Sequence, residues 1–176
     1  MSYSVIRTHE ICCGHRVVGH ESRCRMLHGH NYVFHFKVQP CIDRQMEASH
    51  YDHAPAQLDN VGRVIDFSVV KSTLCQWLED NWDHKFLHWE IDNLILGILE
   101  LVSDDQTRPS LARSVGEANS SHLFGSMVPL PFNPTAENLA AHMVNVIGPQ
   151  LLAEHGVELV SCTIEETSKC HVEYTK

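Results

Sequence analysis

The clearest pattern in the chain is the alternation in "HNYVFHFKV", residues 30 to 38, where Tyr32, Phe34, Phe36 and Val38 fall on one face and polar groups mostly on the other. A period of two predicts a half-buried strand. Residues 3 to 15 alternate more loosely, with β-branched positions, and predict a second strand. From residue 66 the period changes. Asp66 stands before Phe67, Val70, Leu74, Trp77 and Leu78, which predicts a helix capped by Asp66 and ending near Asn81. A second helical pattern covers 90 to 102 through Ile91, Leu94, Ile95, Ile98, Leu99 and Val102. After the short apolar stretch "LFGSMVPLPF", the segment "NPTAEN" opens a third helix, with Asn133 as cap, Pro134 in the first position and Glu137 at the positive end of the dipole. Leu139, Met143, Val146, Ile147 and Leu151 continue its buried face, with a kink expected at Gly148-Pro149. "VELVSCTIEET" and "CHVEYT" read as two closing strands joined at Ser168-Lys169. Residues 39 to 62 read mainly as connection, and 103 to 122 as a flexible polar loop.

Strands flanking helices predict an α+β fold whose antiparallel sheet is covered on one side. Such a sheet has open edges, and a closed homo-oligomer satisfies them. The 176 residues suffice for a single domain. No apolar run approaches the ~20 residues of a membrane span, and the N-terminus shows no basic head followed by an apolar block. A cytoplasmic location and no membrane partner are therefore expected. The seven cysteines are odd in number and form no CxxC pair, which suits reduced thiols, with Cys41, Cys75 and Cys162 expected in the core. A net charge of −9 argues against nucleic acid, though a few cations could still hold a small phosphorylated substrate.

Composition has one outlier, the fourteen histidines, so spacing must separate chemistry from habit. In "CRMLHGHNYVFHF" His28 and His30 are two residues apart, and a strand that begins early enough points both to one face. Two imidazoles so placed can share a metal, zinc by default. The alternative is chance in a histidine-rich chain. Gly29 between them allows close approach. Cys24 lies four residues upstream. Near a dication, or near Arg23 and Arg25, its thiol would be partly thiolate and a candidate base; otherwise it is an ordinary loop cysteine. Asp83 and His84 follow a helix end, where they either cap and solvate a loop or form an oriented proton shuttle. Glu166 is expected on the face of Val160, Cys162 and Ile164, where a carboxylate suits a ligand with two parallel N–H donors. The alternative is a strand that stops before it. His50 and His53 read as exposed loop residues rather than a second metal site.

Taken together, "CGHRV" (13 to 17), "CRMLHGHNY" (24 to 32), "GRVIDF" (62 to 67), "DH" (83 to 84), "LPFNPTAENLA" (130 to 140) and "IEET" (164 to 167) resemble the 6-pyruvoyl-tetrahydropterin synthase and 6-carboxy-tetrahydropterin synthase (QueD) family, in the family's order and over nearly the whole chain. The resemblance implies a tunnelling fold (T-fold): a four-stranded antiparallel sheet with two main helices on one face, assembled into an oligomeric barrel, commonly a hexamer of paired trimers. It implies Zn2+ held by His15, His28 and His30, with Cys24 as catalytic base and Asp83 and His84 as its relay. It places Glu166 on the pterin ring, with Glu137 and Thr135 lining the same pocket. The family's site lies between subunits, so Cys24 and His84 can come from different chains. The implied substrate is 7,8-dihydroneopterin triphosphate, with Arg16, Arg23, Arg25 and Lys37 as candidates for its phosphates. The spacing of Cys24 to His28 resembles the carboxy-forming branch, which releases acetaldehyde and triphosphate and feeds 7-deazaguanine (queuosine-type) synthesis. The alternatives are the pyruvoyl-forming synthase and a non-catalytic zinc or pterin module. Two departures stand out. Cys13 occupies a position of small residues before the first zinc histidine, where it would crowd or join the site. Residues 86 to 130 read as a family-variable insertion.

Overall fold

The computed structural model describes residues 3–41, 58–103 and 123–176. The chain divides into two compact units, one of residues 1–11, 31–80 and 136–176, the other of 12–30 and 81–135. The polar connections expected around 42–57 and 104–122, His50 and His53 among them, lie outside the described residues.

Strand β1 runs Val5–His15 and β2 runs His28–Pro40. The alternation of β2 is realised over its whole length: Tyr32, Phe34, Phe36 and Val38 are all at 0% exposure. Burying each of these side chains favours folding by about 1.5–3 kcal/mol relative to exposure, before the entropy cost of ordering it. Helix α1 covers 67–81, with a π-helical turn over Lys71–Cys75. Asp66 caps it as expected, its carboxylate accepting from the Ser68 amide at 2.8 Å. Gly62 just before it has φ +87°, a backbone that favours glycine, and lets the chain turn into that cap. Helix α3 covers 136–152 and continues through Gly148-Pro149 by way of a π-helical turn over Met143–Ile147. In the first unit α3 packs on β5, Val157–Thr167, and β6, Cys170–Thr175. Leu74, Leu78, Leu139, Met143, Leu159, Cys162 and Ile164 form the core there with the β2 rings.

Two short strands and a helix occupy the second unit: β3 Phe86–Trp89, α2 Asn93–Ser103 and β4 Met127–Leu130. They lie within the segment 86–130. The four expected strands are present, but the sheet has six among the described residues, in the order β4-β3-β1-β2-β5-β6. The β2–β5 and β5–β6 ladders are antiparallel, whereas β1–β3 and β3–β4 are parallel. The added strands have four residues each and no alternation, so period offers no signal for them. β4 contains Pro129, which an edge strand tolerates because its N–H side needs no partner.

Two local expectations are corrected. The β2–β5 register shifts between Lys37 and Val38, pairing them with Ser161 and Leu159 and leaving Val160 as the extra residue. This bulge moves Leu159, not Val160, onto the buried face with Cys162 and Ile164. The helix after "NPT" begins at Ala136, so Asn133 is not its cap. Of the cysteines placed in the core, Cys75 and Cys162 are buried and Cys41 is half-buried; all seven thiols are free. Burial pushes the Cys75 and Cys162 thiols up from their ordinary range. No helix among the described residues is long and apolar enough to cross a membrane.

Candidate metal and active site

β2 begins at His28, so both histidines of "HGH" stand on the strand and share a face. His15 ends β1 at 1% exposure. The three rings converge. Their centroids are 4.5 Å apart for His15–His28, 5.3 Å for His15–His30 and 5.0 Å for His28–His30. One nitrogen of each lies within 4.8 Å of the others. The mutual tilts of 49°, 71° and 88° exclude parallel stacking and turn the rings about a common point. Close approach of the two strands permits this. A Cβ on Gly29 would meet the Cys13 carbonyl oxygen at 2.9 Å and the Gly14 Cα at 3.5 Å.

Backbone carbonyls set two of the rings. His15 Nδ1 donates to the Pro134 carbonyl at 2.7 Å, and His28 Nδ1 donates to the Met26 carbonyl at 2.8 Å. A carbonyl only accepts, so each Nδ1 carries a proton, and in the neutral ring this makes Nε2 the nitrogen with the lone pair. That is the tautomer a metal-binding imidazole needs, and such outer hydrogen bonds also fix ring orientation. Three imidazole nitrogens so placed fit a divalent ion. A tetrahedral set at zinc–nitrogen lengths needs nitrogens about 3.3 Å apart, inside the 4.8 Å within which the three nitrogens lie. Among the described residues the metal-competent group contains these three and no thiol. Cys13 does not join it. Its thiol is buried and pushed up to about 12, by burial first and then by Asp83 and Cys12, which keeps it protonated and neutral.

Cys24 sits in the 3-10 turn Arg23–Arg25, half-buried, its carbonyl accepting from the Val17 amide at 2.8 Å. This turn belongs to the same unit as the three histidines. Asp83 and His84 also lie in that unit and are pinned to β1 from both sides. Asp83 Oδ1 accepts from the Cys12 amide at 2.9 Å, while the His84 amide donates to the Cys12 carbonyl at 2.7 Å. Between these anchors His84 takes a left-handed backbone, φ 54°. Such a conformation costs a non-glycine residue about 1–3 kcal/mol and persists where the surrounding structure holds it. The result is an imidazole 82% exposed, with Nε2 at 3.6 Å from Asp83 Oδ2.

In the other unit Glu166 lies in β5 where the β5–β6 register shifts, between Glu165 and Thr167. Strand alternation sends the two glutamates to different partners. Glu165 pairs with His35 at 2.7 Å, whereas Glu166 accepts from the buried Tyr32 hydroxyl at 3.1 Å. Glu137 is exposed in the first turn of α3. Thr135 is the last residue of its unit, and its amide donates to the Asn133 carbonyl at 2.8 Å.

Three residues matter here in ways that periodicity does not reveal. Asn133 clasps Val18 in both directions: its Oδ1 accepts from the Val18 amide and its Nδ2 donates to the Val18 carbonyl, each at 2.9 Å. With Pro134 it holds the chain that leaves His15. Its only sequence signal was the "NPT" cluster, which helix-capping rules explain equally well. Tyr32 reads as a plain core ring until its hydroxyl is placed. Arg16, a phosphate candidate, is instead turned to Asp92 at 3.4 Å.

The family model described as 6-pyruvoyl tetrahydropterin synthase matches residues 4–176. The chain belongs to that family. A 6-carboxy-5,6,7,8-tetrahydropterin synthase of Rickettsia typhi is 31% identical over 160 residues, covering 91% of each chain. One of Haemophilus influenzae is 28% identical over 162 residues, covering 91% of this chain and 89% of its own. Among solved structures, an uncharacterized protein from Wolinella succinogenes superposes with a TM-score of 0.75 at 21% identity, covering 100% and 99% of the two chains. The 6-pyruvoyl tetrahydropterin synthase of Plasmodium vivax does so at 0.58 and 17%, covering 100% and 98%. These likenesses establish the family's α+β tunnelling fold for this chain. Family membership makes it an enzyme of pterin chemistry with a histidine cluster able to hold a metal.

Proposed function

We propose that the chain is a zinc-dependent 6-carboxytetrahydropterin synthase, a lyase that converts 7,8-dihydroneopterin triphosphate and one water to 6-carboxy-5,6,7,8-tetrahydropterin, acetaldehyde and triphosphate. The observation that carries this reading is the convergence of His15, His28 and His30, each offering a nitrogen within 4.8 Å of the others, on a chain whose curated relatives bear that enzyme's name. Zn2+ bound there would supply Lewis-acid stabilisation of charge developing on the side-chain oxygens of the substrate.

The other roles belong to this chain's own groups. Cys24, two residues before the Met26 carbonyl that orients His28, removes a carbon-bound proton from the substrate side chain. Asp83 and His84 relay that proton; the exposure of the His84 ring supports a partner on another copy of the chain. Glu166 accepts from the pterin ring N–H and its exocyclic amine, and its orientation is held by Tyr32. Thr135 and Glu137 line the ring pocket. The enzyme acts in the cytoplasm as a homo-oligomer, a hexamer or another trimer-based assembly. The insertion 86–130 belongs to the same single domain, and the product enters 7-deazaguanine (queuosine/preQ0) synthesis.

Incubation of the zinc-loaded protein with dihydroneopterin triphosphate tests the reading. Acetaldehyde and a carboxypterin are expected. A product that keeps all three side-chain carbons would favour the pyruvoyl-forming reaction, the one in the matching family's description. Bound zinc without turnover would favour a binding module.

A further inference from the structure

The four residues from His15 to Val18 are tethered one by one. The His15 ring is held by Pro134, the Val17 amide by Cys24 and the Val18 backbone by Asn133. Arg16 is the remaining one, and its tether is of another kind. Its Nε faces Asp92 Oδ2 at 3.4 Å, with the two side chains 13% and 2% exposed. Neither atom has a hydrogen-bond partner of good geometry, so the pair is held chiefly by charge. Asp92 is fixed independently. Its Oδ1 accepts from the Leu94 amide at 3.0 Å, its carbonyl accepts from the Leu96 amide at 2.9 Å, and its own amide donates to the Trp89 carbonyl at 2.9 Å. It therefore presents a buried carboxylate at the start of α2.

Arg16 follows His15 directly in the chain, and a buried guanidinium without a counter-charge disfavours a dication held near it. We infer that Asp92 is a positioning residue of the metal centre: it neutralises Arg16 and so permits a divalent ion on the imidazoles of His15, His28 and His30. The inference rests on the metal reading above. It also takes Arg16 out of the set available to phosphate and gives the 86–130 segment a part in the site.

Charge balance makes a demand that simple bracing does not. Removing one partner is harmful, while replacing both by apolar side chains of similar size is nearly neutral. The test is zinc affinity of the full-length protein, read by competition with a chromophoric chelator. It compares the wild type, Asp92→Asn, Asp92→Glu and the double variant Arg16→Leu/Asp92→Leu. Asp92→Asn is expected to bind zinc about 10- to 100-fold more weakly, the usual cost of losing a supporting group. The glutamate and the double variant are expected to stay within about threefold of wild type on the same reasoning. Wild-type affinity in Asp92→Asn overturns the inference and leaves the metal reading intact. No zinc on the wild-type protein overturns both. If Asp92→Asn does not fold, the double variant decides: folded with wild-type affinity it supports charge balance, and folded with weakened affinity it overturns it.

Discussion

His15 donates from Nδ1 to the carbonyl of Pro134 at 2.7 Å, across 119 residues of sequence. One residue earlier Asn133 clasps Val18 at both its amide and its carbonyl. The consequence is that a ligand on β1 is oriented by a segment next to α3 rather than by its own strand. Asn133→Ala removes two hydrogen bonds worth about 0.5–1.5 kcal/mol each. It should lower the thermal midpoint and weaken zinc binding by about tenfold. Asn133→Asp, which keeps the acceptor and loses the donor, should fall between. Chelator competition on all three proteins checks the order; equal affinities would show that Pro134 holds the ring without help.

Gly29 tests how far the site depends on strand spacing. Its would-be Cβ meets backbone, the Cys13 carbonyl at 2.9 Å, and backbone cannot swing aside as a flexible side chain can. Gly29→Ala should therefore push β1 from β2 and cost about 1–3 kcal/mol as overpacking. Because His28 and His30 flank the position, metal affinity should fall together with the thermal midpoint. A variant that loses neither would mean that the strands part at that point without moving the ligands.

Cys24 is outside the metal-competent group, so its proposed role can be separated from metal binding. Cys24→Ala should keep the zinc stoichiometry of the wild type and lose turnover by about 10^2- to 10^4-fold, the range for removing a general base. Metal analysis and product formation on the same preparation give both readouts. Undiminished turnover would exclude the thiol as the base.

Much of this was legible in residues. The period of β2 located its four buried side chains, the HxH spacing located two rings of the histidine cluster, and Asp66 announced α1. What was not legible has physical causes. β3 and β4 are too short to show a period. The bulge at Val160 inverts a face without leaving a mark in the alternation, since Val and Leu are equally apolar. Asn133 and Asp92 act through partners 115 and 76 residues away, and no local rule sees such pairs. His84 is the instructive intermediate: "DH" pointed to it, but its left-handed backbone and exposure follow from the two anchors on Cys12, which only the fold supplies.

The turn into α1 carries an acid-sensitive contribution. Asp59 is held below the ordinary carboxylate range, first by the Arg63 amide. Asp66 is held there first by the Ser68 hydroxyl. Arg63 bridges both, at 2.9 and 2.8 Å. With folded pKa values depressed, their contribution is complete above the unfolded value of about 3.9 and is lost as pH falls through the folded values. Asp66→Asn keeps a good helix cap but cannot titrate. Its thermal midpoint should therefore fall less steeply than that of the wild type between pH 4.5 and 2.5, a window set by about 3.9 for unfolded Asp. Parallel curves would mean that Asp66 is as easily protonated in the fold as in the unfolded chain.

Tyr32 and Glu166 offer a test of substrate positioning that leaves the metal alone. Tyr32 is at 0% exposure and its hydroxyl donates to Glu166 Oε1 at 3.1 Å. A hydrogen bond to a charged acceptor contributes about 1.5–3 kcal/mol, equivalent to about 10- to 100-fold in binding. If Glu166 grips the pterin ring, Tyr32→Phe removes one restraint on its carboxylate and should raise KM by up to that factor, with kcat reduced less. Glu166→Gln replaces one acceptor oxygen by a donor that opposes the ring N–H groups and should raise KM further. Both variants should hold zinc as the wild type does, since neither changes one of the three imidazoles. A Tyr32→Phe enzyme with unchanged KM but a lowered thermal midpoint would reduce the hydroxyl to a structural tie. An unchanged KM in Glu166→Gln would remove the carboxylate from the pterin site.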